Sequence, residues 1–221
     1  MTVEDKLVVS RKRVVDHGEV YTPKKIVNAM FDLVAQEAER IDSRFLEPAC
    51  GTGNFLSEVL SRKLKTVAVR YSKNRMDYER YSFIALSSIY GIDILEDNVV
   101  ECRERLLSVL WDSYSRLCKV APGDEFQAAT AYVAERNIVW GDALTLKTVA
   151  GDPQPIVFSE WSPVNSYMIK RRDFAFHELL SQARNRELPL FSDLGEEAFI
   201  PEPIAEYPVV HYLRVADVKQ C

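Results

Sequence analysis

Apolar positions along the chain switch repeatedly between a period near two and a period near 3.6, which predicts strands alternating with helices. Ile26, Met30 and Val34 share one helical face, with Phe31 and Ala38 beside it and Glu37, Glu39 and Arg40 outside, so residues 26–38 read as an amphipathic helix. Thr22 caps it, and Pro23 suits a first turn whose N–H would be unpaired anyway. A short apolar run at Phe45 and Leu46 leads into a glycine loop. Helical spacing then resumes over 54–64 through Phe55, Val59 and Leu60. A basic, aromatic-interleaved helical segment fills 65–88 before a second strand at 89–94, and 96–117 reads as a long helix. Past a polar break at Pro122, Gly123 and Asp124 come another helix and a third strand over 137–140, ending at Gly141 and Asp142. After the turn at Gly151, Asp152 and Pro153, residues 156–158 supply a fourth strand, 171–183 a helix, and 207–218 a final strand or hairpin.

This order implies an α/β fold, a mostly parallel sheet with helices on both faces, preceded by an N-terminal helical segment, with ligands outside the carboxyl ends of the strands. A chain of 221 residues, 47% hydrophobic and 28% charged, suits one domain with a core and would crowd two. No stretch approaches eighteen apolar residues, and Arg11, Lys12 and Arg13 come without an apolar signal core, so a cytoplasmic protein with no membrane partner is expected. Cys50, Cys102, Cys118 and Cys221 lack paired ligand spacing, and His17, His177 and His211 stand apart from them; neither metal nor disulfide is expected. With a formal charge of −5, nucleic-acid contact has to be local rather than a property of the whole surface.

The loop Glu47-Pro48-Ala49-Cys50-Gly51-Thr52-Gly53-Asn54-Phe55 is the most informative segment. Glycines flanking Thr52 let the backbone turn and approach a ligand where a strand gives way to a helix. A dinucleotide fingerprint needs a third glycine where Leu56 stands, and the Gly-Lys-Ser/Thr of a phosphate loop is absent. The loop therefore reads as a holder of S-adenosylmethionine, with an ordinary strand-to-helix turn as the plain alternative. Asp93 and Asp142 end the second and third strands as Glu47 ends the first. The ligand's ammonium, ribose hydroxyls and adenine amino group are all donors for carboxylates, and strand order assigns them to Glu47, Asp93 and Asp142 respectively. Taken singly, each aspartate also reads as a helix cap or a solvated loop residue.

Two basic runs are candidates for DNA contact. Arg62, Lys63, Lys65, Arg70 and Lys73, followed by Arg75 and Arg80, are interleaved with Tyr71, Tyr78 and Tyr81, and Lys170, Arg171 and Arg172 form the second run. Solvated helix faces are the competing reading of both.

Four segments together resemble the adenine N6 methyltransferases of bacterial restriction-modification systems, of the type I and type IIG groups. Residues 18–23, with Tyr21 and Thr22, are similar to the segment that closes over the cofactor's methionine end in that family. Residues 47–55 match its cofactor loop, Asp93 and Ile94 its ribose-binding strand end, and Trp140 with Asp142 and Ala143 its adenine-holding segment. The resemblance implies a Rossmann-like S-adenosylmethionine-dependent methyltransferase fold. It divides the chain into an arm over 1–17 and one domain over 18–221: a cofactor-closing helix over 18–40, the cofactor-binding sheet over 44–160, and an altered substrate region with a C-terminal strand over 161–221.

The family's catalytic tetrapeptide, Asn/Asp/Ser-Pro-Pro followed by an aromatic, is missing after the fourth strand. Ser159, Glu160 and Trp161 stand there instead, and no Pro-Pro pair occurs in the chain. Ser159 or Glu160 would accept a hydrogen bond from the adenine amino group and Trp161 would stack on the base, or else pack in a core. Methyl transfer to adenine N6 in duplex DNA is the first functional expectation. A cofactor-binding subunit or regulator without catalysis is the second, and methylation of a small molecule or protein the third. Since a methyltransferase core fills nearly the whole length, sequence recognition is expected from a separate specificity subunit, within a homo- or hetero-oligomer.

Overall fold

The computed structural model describes residues 37, 39–186 and 202–218. The arm over 1–17, Tyr21, Thr22, and all of the expected 26–38 helix except Glu37 lie outside them. Three strands, β1 (Phe45–Glu47), β2 (Ile89–Asp93) and β3 (Ile138–Asp142), pair in that order and in parallel. A two-residue strand, β4 (Lys147–Thr148), closes the far edge in the antiparallel sense.

Helices α1 (Asn54–Tyr71) and α2 (Arg75–Ser87) connect β1 to β2, and α3 (Glu96–Cys118) and α4 (Asp124–Asn137) connect β2 to β3. Apolar stripes explain their packing. Along α1, Leu56, Val59, Leu60, Leu64 and Val67 are all buried, the spacing of a single helical face. The Asn74 side chain caps α2 by accepting from the backbone N–H groups of Met76 and Asp77. Glu96 and Asp97 place negative charge in the first turn of α3, where the helix dipole favours it.

Strand alternation sorts the sheet's two faces. Ile89 and Ile138 join the large core formed with the helices, while Tyr90 and Ile92 face a smaller cluster with Ile156, Phe158 and Phe176. That second cluster comes from an antiparallel sheet: β5 (Val157–Pro163) pairs with β6 (Met168–Ala175), and β6 also pairs with β7 (Ala205–Glu206) and β8 (Val210–His211).

Three expectations are corrected here. The fourth strand does not join the parallel sheet; β5 is one arm of an antiparallel hairpin, with Phe158 in the smaller cluster and Trp161 in the main core. The helix expected over 171–183 starts only at Phe176, as α5 (Phe176–Arg186), because residues 168–175 form β6. The buried inward positions of β6 include Arg171 and Asp173 beside Ile169, so its period of two is written partly in charges that pair with each other. The tail contributes two-residue strands and a 3-10 turn, Tyr212–Arg214, rather than a full hairpin. No described helix is long and apolar enough to cross a membrane.

Candidate cofactor site

Glu47 pairs in register with Gly91, and Asp93 with Trp140. Partners in a parallel ladder share a face, as do residues two apart in one strand, so Glu47, Gly91, Asp93, Trp140 and Asp142 project to the same side. Each acid lies one strand over and two residues further than the last. With strands ~4.8 Å apart and a rise of ~3.3 Å per residue, the Glu47 and Asp93 Cα atoms are roughly 8 Å apart and those of Glu47 and Asp142 about 16 Å apart. The acids form a staircase along one sheet edge, directly beside the glycine loop.

The loop is held from beneath. Cys50 N–H donates to Ile92 O at 2.9 Å, Gly53 N–H to Cys50 O at 2.9 Å, and Ser57 N–H to Gly53 O at 2.8 Å, the last opening α1. Gly51 and Gly53 both adopt left-handed conformations, φ 52° and 82°. A Cβ on Gly53 would lie 2.7 Å from Cys102 Sγ, whereas one on Gly51 would enter open space. The loop thus packs tightly against α3 through one glycine and leaves room for a ligand beside the other. Pro48 and Ala49 are exposed, Thr52 is buried, and the Asn54 side chain accepts from Arg105. Phe55 packs against the main core. Hydrogen bonding to Cys102 and burial push the Cys50 thiol up, which keeps it a neutral packing group.

The three carboxylates differ in how much acceptor capacity they retain. Glu47 makes no side-chain hydrogen bond or ion pair among the described residues, and its half-buried position pushes its carboxyl above the usual range. A desolvated carboxylate without a partner is a seat for a cation. Asp93 is buried; Oδ1 accepts from Leu95 N–H at 2.9 Å and Asn98 Nδ2 at 3.1 Å, and Oδ2 from Gly51 N–H at 2.8 Å. One of its four lone-pair positions remains, on the oxygen nearest the loop. Asp142 accepts from Leu144 N–H at 2.8 Å and Thr145 Oγ1 at 3.0 Å, and these bonds hold its carboxyl below the usual range while leaving both oxygens a further lone pair. The plain reading of both aspartates as turn and cap residues is therefore accurate locally, and it also fixes their rotamers at the edge.

Ile94 is exposed beside Asp93, and Ala143 packs toward the smaller cluster. Three neighbours shape this edge, and of these sequence reasoning placed only Trp140, in the adenine-holding segment. Trp140 Nε1–H donates to Ile94 O at 3.0 Å, so its indole stands between Asp93 and Asp142. Asn98 orients Asp93, and Cys102 backs the loop. The spacing of Asn98, five residues past Asp93 in the first turn of α3, was a usable signal; Cys102 left none.

Ser159, Glu160 and Trp161 lie elsewhere. Arg44, which precedes β1, pairs with Glu160, and Trp161 Nε1–H donates to Asn137, which precedes β3, at 3.0 Å. Both partners mark the amino ends of the parallel strands. The five residues of β3 separate that end from the acids' edge by about 16 Å. Trp161 is buried edge-on against Phe83 and Tyr132, and Ser159 Oγ donates to Asp173 Oδ1 at 2.7 Å. The structure does not bring these three side chains to the cofactor loop.

Several residues expected to touch DNA are likewise occupied. Lys63 is fully buried, its ammonium donating to Ile41 O, Ser43 O and Ser88 Oγ, with burial lowering its pKa to about 7. Arg171 is buried against Asp173, Lys170 pairs with Glu206 at 2.8 Å, Arg172 with Glu160 at 2.7 Å, and Arg62 with Glu58 at 2.9 Å. Burial removes Lys63 and Arg171 as phosphate contacts. Lys65, Arg70 and Lys73 remain exposed. Among the described residues, no cluster of His, Cys, Asp or Glu has metal-binding geometry.

A parallel α/β sheet with a glycine loop after its first strand and acids at three strand ends is an arrangement in which ligands commonly lie outside the carboxyl ends of the strands. Comparison with known proteins narrows the class. Residues 9–104 match the profile of the N-6 DNA Methylase family. The chain is also 29% identical over 140 residues to the Type II methyltransferase M.VspI of Vibrio sp. (strain 343), an alignment covering 59% of this chain and 27% of that protein. The chain thus spans about a quarter of the length of the curated relative it matches. No solved structure matches. The two sequence matches support the resemblance to adenine N6 DNA methyltransferases of restriction-modification systems and bring in the first two acids, since the profile ends at residue 104.

Proposed function

We propose that this chain holds S-adenosylmethionine along the edge formed by Glu47, Asp93 and Asp142 and serves as the cofactor-binding part of a DNA adenine-N6 methyltransferase. The observation that carries this reading is the staircase of carboxylates beside the open space at Gly51, with Glu47 at its loop end having no side-chain partner among the described residues. Glu47 accepts the ligand's ammonium, the free Oδ2 position of Asp93 a ribose hydroxyl, and Asp142 the adenine amino group. Pro48, Ala49, Cys50, Gly51, Gly53, Asn54 and Phe55 form the backbone cradle and its support, Ile94 and Ala143 flank the base, and Tyr21 and Thr22 close over the methionine end. When bound, the ligand supplies a methyl group on a sulfonium centre; the chain's own work is to bind and orient it.

The placement of Ser159, Glu160 and Trp161 at the other end of the strands favours a substrate site completed by groups outside the described residues, with target DNA delivered by a separate specificity subunit. Calorimetric titration with S-adenosylmethionine, followed by tritiated methyl transfer to adenine-rich duplex DNA, tests both levels. Saturable binding with transfer supports the full reading. Binding without transfer restricts it to cofactor binding, and absence of binding overturns it.

A further inference from the structure

The first basic run retains a cationic and aromatic surface after Lys63 and Arg62 are set aside, and it lies far from the acids' edge. Helix α1 begins at the glycine loop and runs eighteen residues to Tyr71, about 27 Å. At that far end Tyr71 and Tyr81 stack face to face, ring centroids 3.7 Å apart and planes within 8°. The Arg80 guanidinium lies 5.0 Å from the Tyr81 ring and 5.9 Å from that of Tyr167, and its Nε is buried with no hydrogen-bond partner among the described residues. Tyr71, Tyr81, Arg80 and Tyr167 thus lie together as a short run of flat groups, with Tyr71 half-buried against the main core.

Basic residues outnumber acids around this end, Arg70, Lys73, Arg75 and Arg80 against Asp77 and Glu79. Arg70 and Lys73 are exposed on either side of Tyr71 and form no ion pair among the described residues. The nearby acids are occupied: Asp77 accepts from Tyr167 Oη at 3.2 Å, and Glu79 is held by Arg75, Tyr114 and Tyr212. Arg70, in the last turn of α1, has a local reason to be cationic in the helix dipole. Lys73 sits past the helix end and Arg75 opens α2, where the dipole disfavours positive charge, so neither has that reason.

We propose that this corner binds single-stranded nucleic acid, a base extending the stack on Tyr71 while adjacent phosphates meet Arg70 and Lys73. Base–aromatic stacking tolerates any base, so the surface holds strand rather than sequence. The site is distinct from the cofactor edge and does not depend on methyl transfer.

Fluorescence anisotropy of the whole chain with a labelled oligothymidylate, against a duplex of equal length, tests it without cofactor. The expected result is preference for the single strand. Tyr71→Ala weakens binding about tenfold and Tyr71→Phe leaves it near wild type. Joint Arg70→Glu and Lys73→Glu substitution lowers the slope of log affinity against log salt by about 1.4. Circular dichroism melting checks the fold of each variant; should Tyr71→Ala fail to fold, the exposed Arg70 and Lys73 variants carry the test. Unchanged single-strand affinity and salt slope in folded variants overturns the proposal, as does tighter binding of the duplex.

Discussion

The parallel half of the molecule and the β5–β6 hairpin use the same residue types in opposite ways. Along β1, β2 and β3 the acids stand at strand ends and keep acceptor capacity: Glu47 has no side-chain partner among the described residues and Asp93 retains one position. In the hairpin the comparable groups pair with one another. Arg171 pairs with Asp173 at 2.6 Å, lies 3.9 Å from the centre of the Tyr207 ring and receives Ser159 into the same network, while Glu160 takes two arginines. A charged side chain in a sequence marks a ligand site only where neighbouring strands fail to supply its counter-charge. The hairpin supplies it and the parallel edge does not.

Substitutions sharpen this contrast, because hairpin changes alter stability and edge changes alter ligand affinity. The largest effect is expected for Arg171→Ala, which strands the buried Asp173 carboxylate and costs about 3–5 kcal/mol in denaturant unfolding, while any folded fraction binds S-adenosylmethionine normally. Lys63→Met removes three buried hydrogen bonds behind β1 and is expected to cost about 2–3 kcal/mol. It also has a pH signature. The folded-state pKa of about 7 lies below the ordinary lysine value of 10.5, so the unfolded chain binds more protons between them and wild-type stability rises with pH across that window. The variant loses that rise, and parallel slopes in pH-dependent melts contradict the assignment. Smallest is Ser159→Ala, about 1 kcal/mol of stability from one network hydrogen bond, with no change in cofactor affinity. A selective loss of affinity in this variant breaks the division between the two halves.

The parallel half was legible because its signals are local. Helical stripes, a glycine pair and an acid at each strand end all fall within a few residues, and the long helix over 96–117 matches α3 to within a residue. The hairpin was not legible in the same way. Its inward positions carry Arg171 and Asp173, whose pairing with each other and with Ser159 and Tyr207 exists only once distant segments meet. Lys63 shows the same limit: a lysine within a basic run reads as surface, and only the carbonyls of Ile41 and Ser43, brought beneath α1, make it a core residue. The position of β5 rests on Phe158 meeting Tyr90 and on Trp161 meeting Phe83 and Tyr132, contacts that no local period encodes.

Calorimetric titration of S-adenosylmethionine into wild type and Glu47→Gln tests the central claim most directly, since Glu47 has no internal side-chain partner among the described residues whose loss would confuse the result. Burial raises its carboxyl in the free chain, so the ionised form is penalised, the glutamine variant is expected to be no less stable, and wild-type affinity should fall on acidification from above the usual carboxylate range. Wild type is expected to show one site, and Glu47→Gln the same site at least tenfold weaker and with the acid-side decline abolished. Equal affinity and equal pH dependence in the two proteins contradict it.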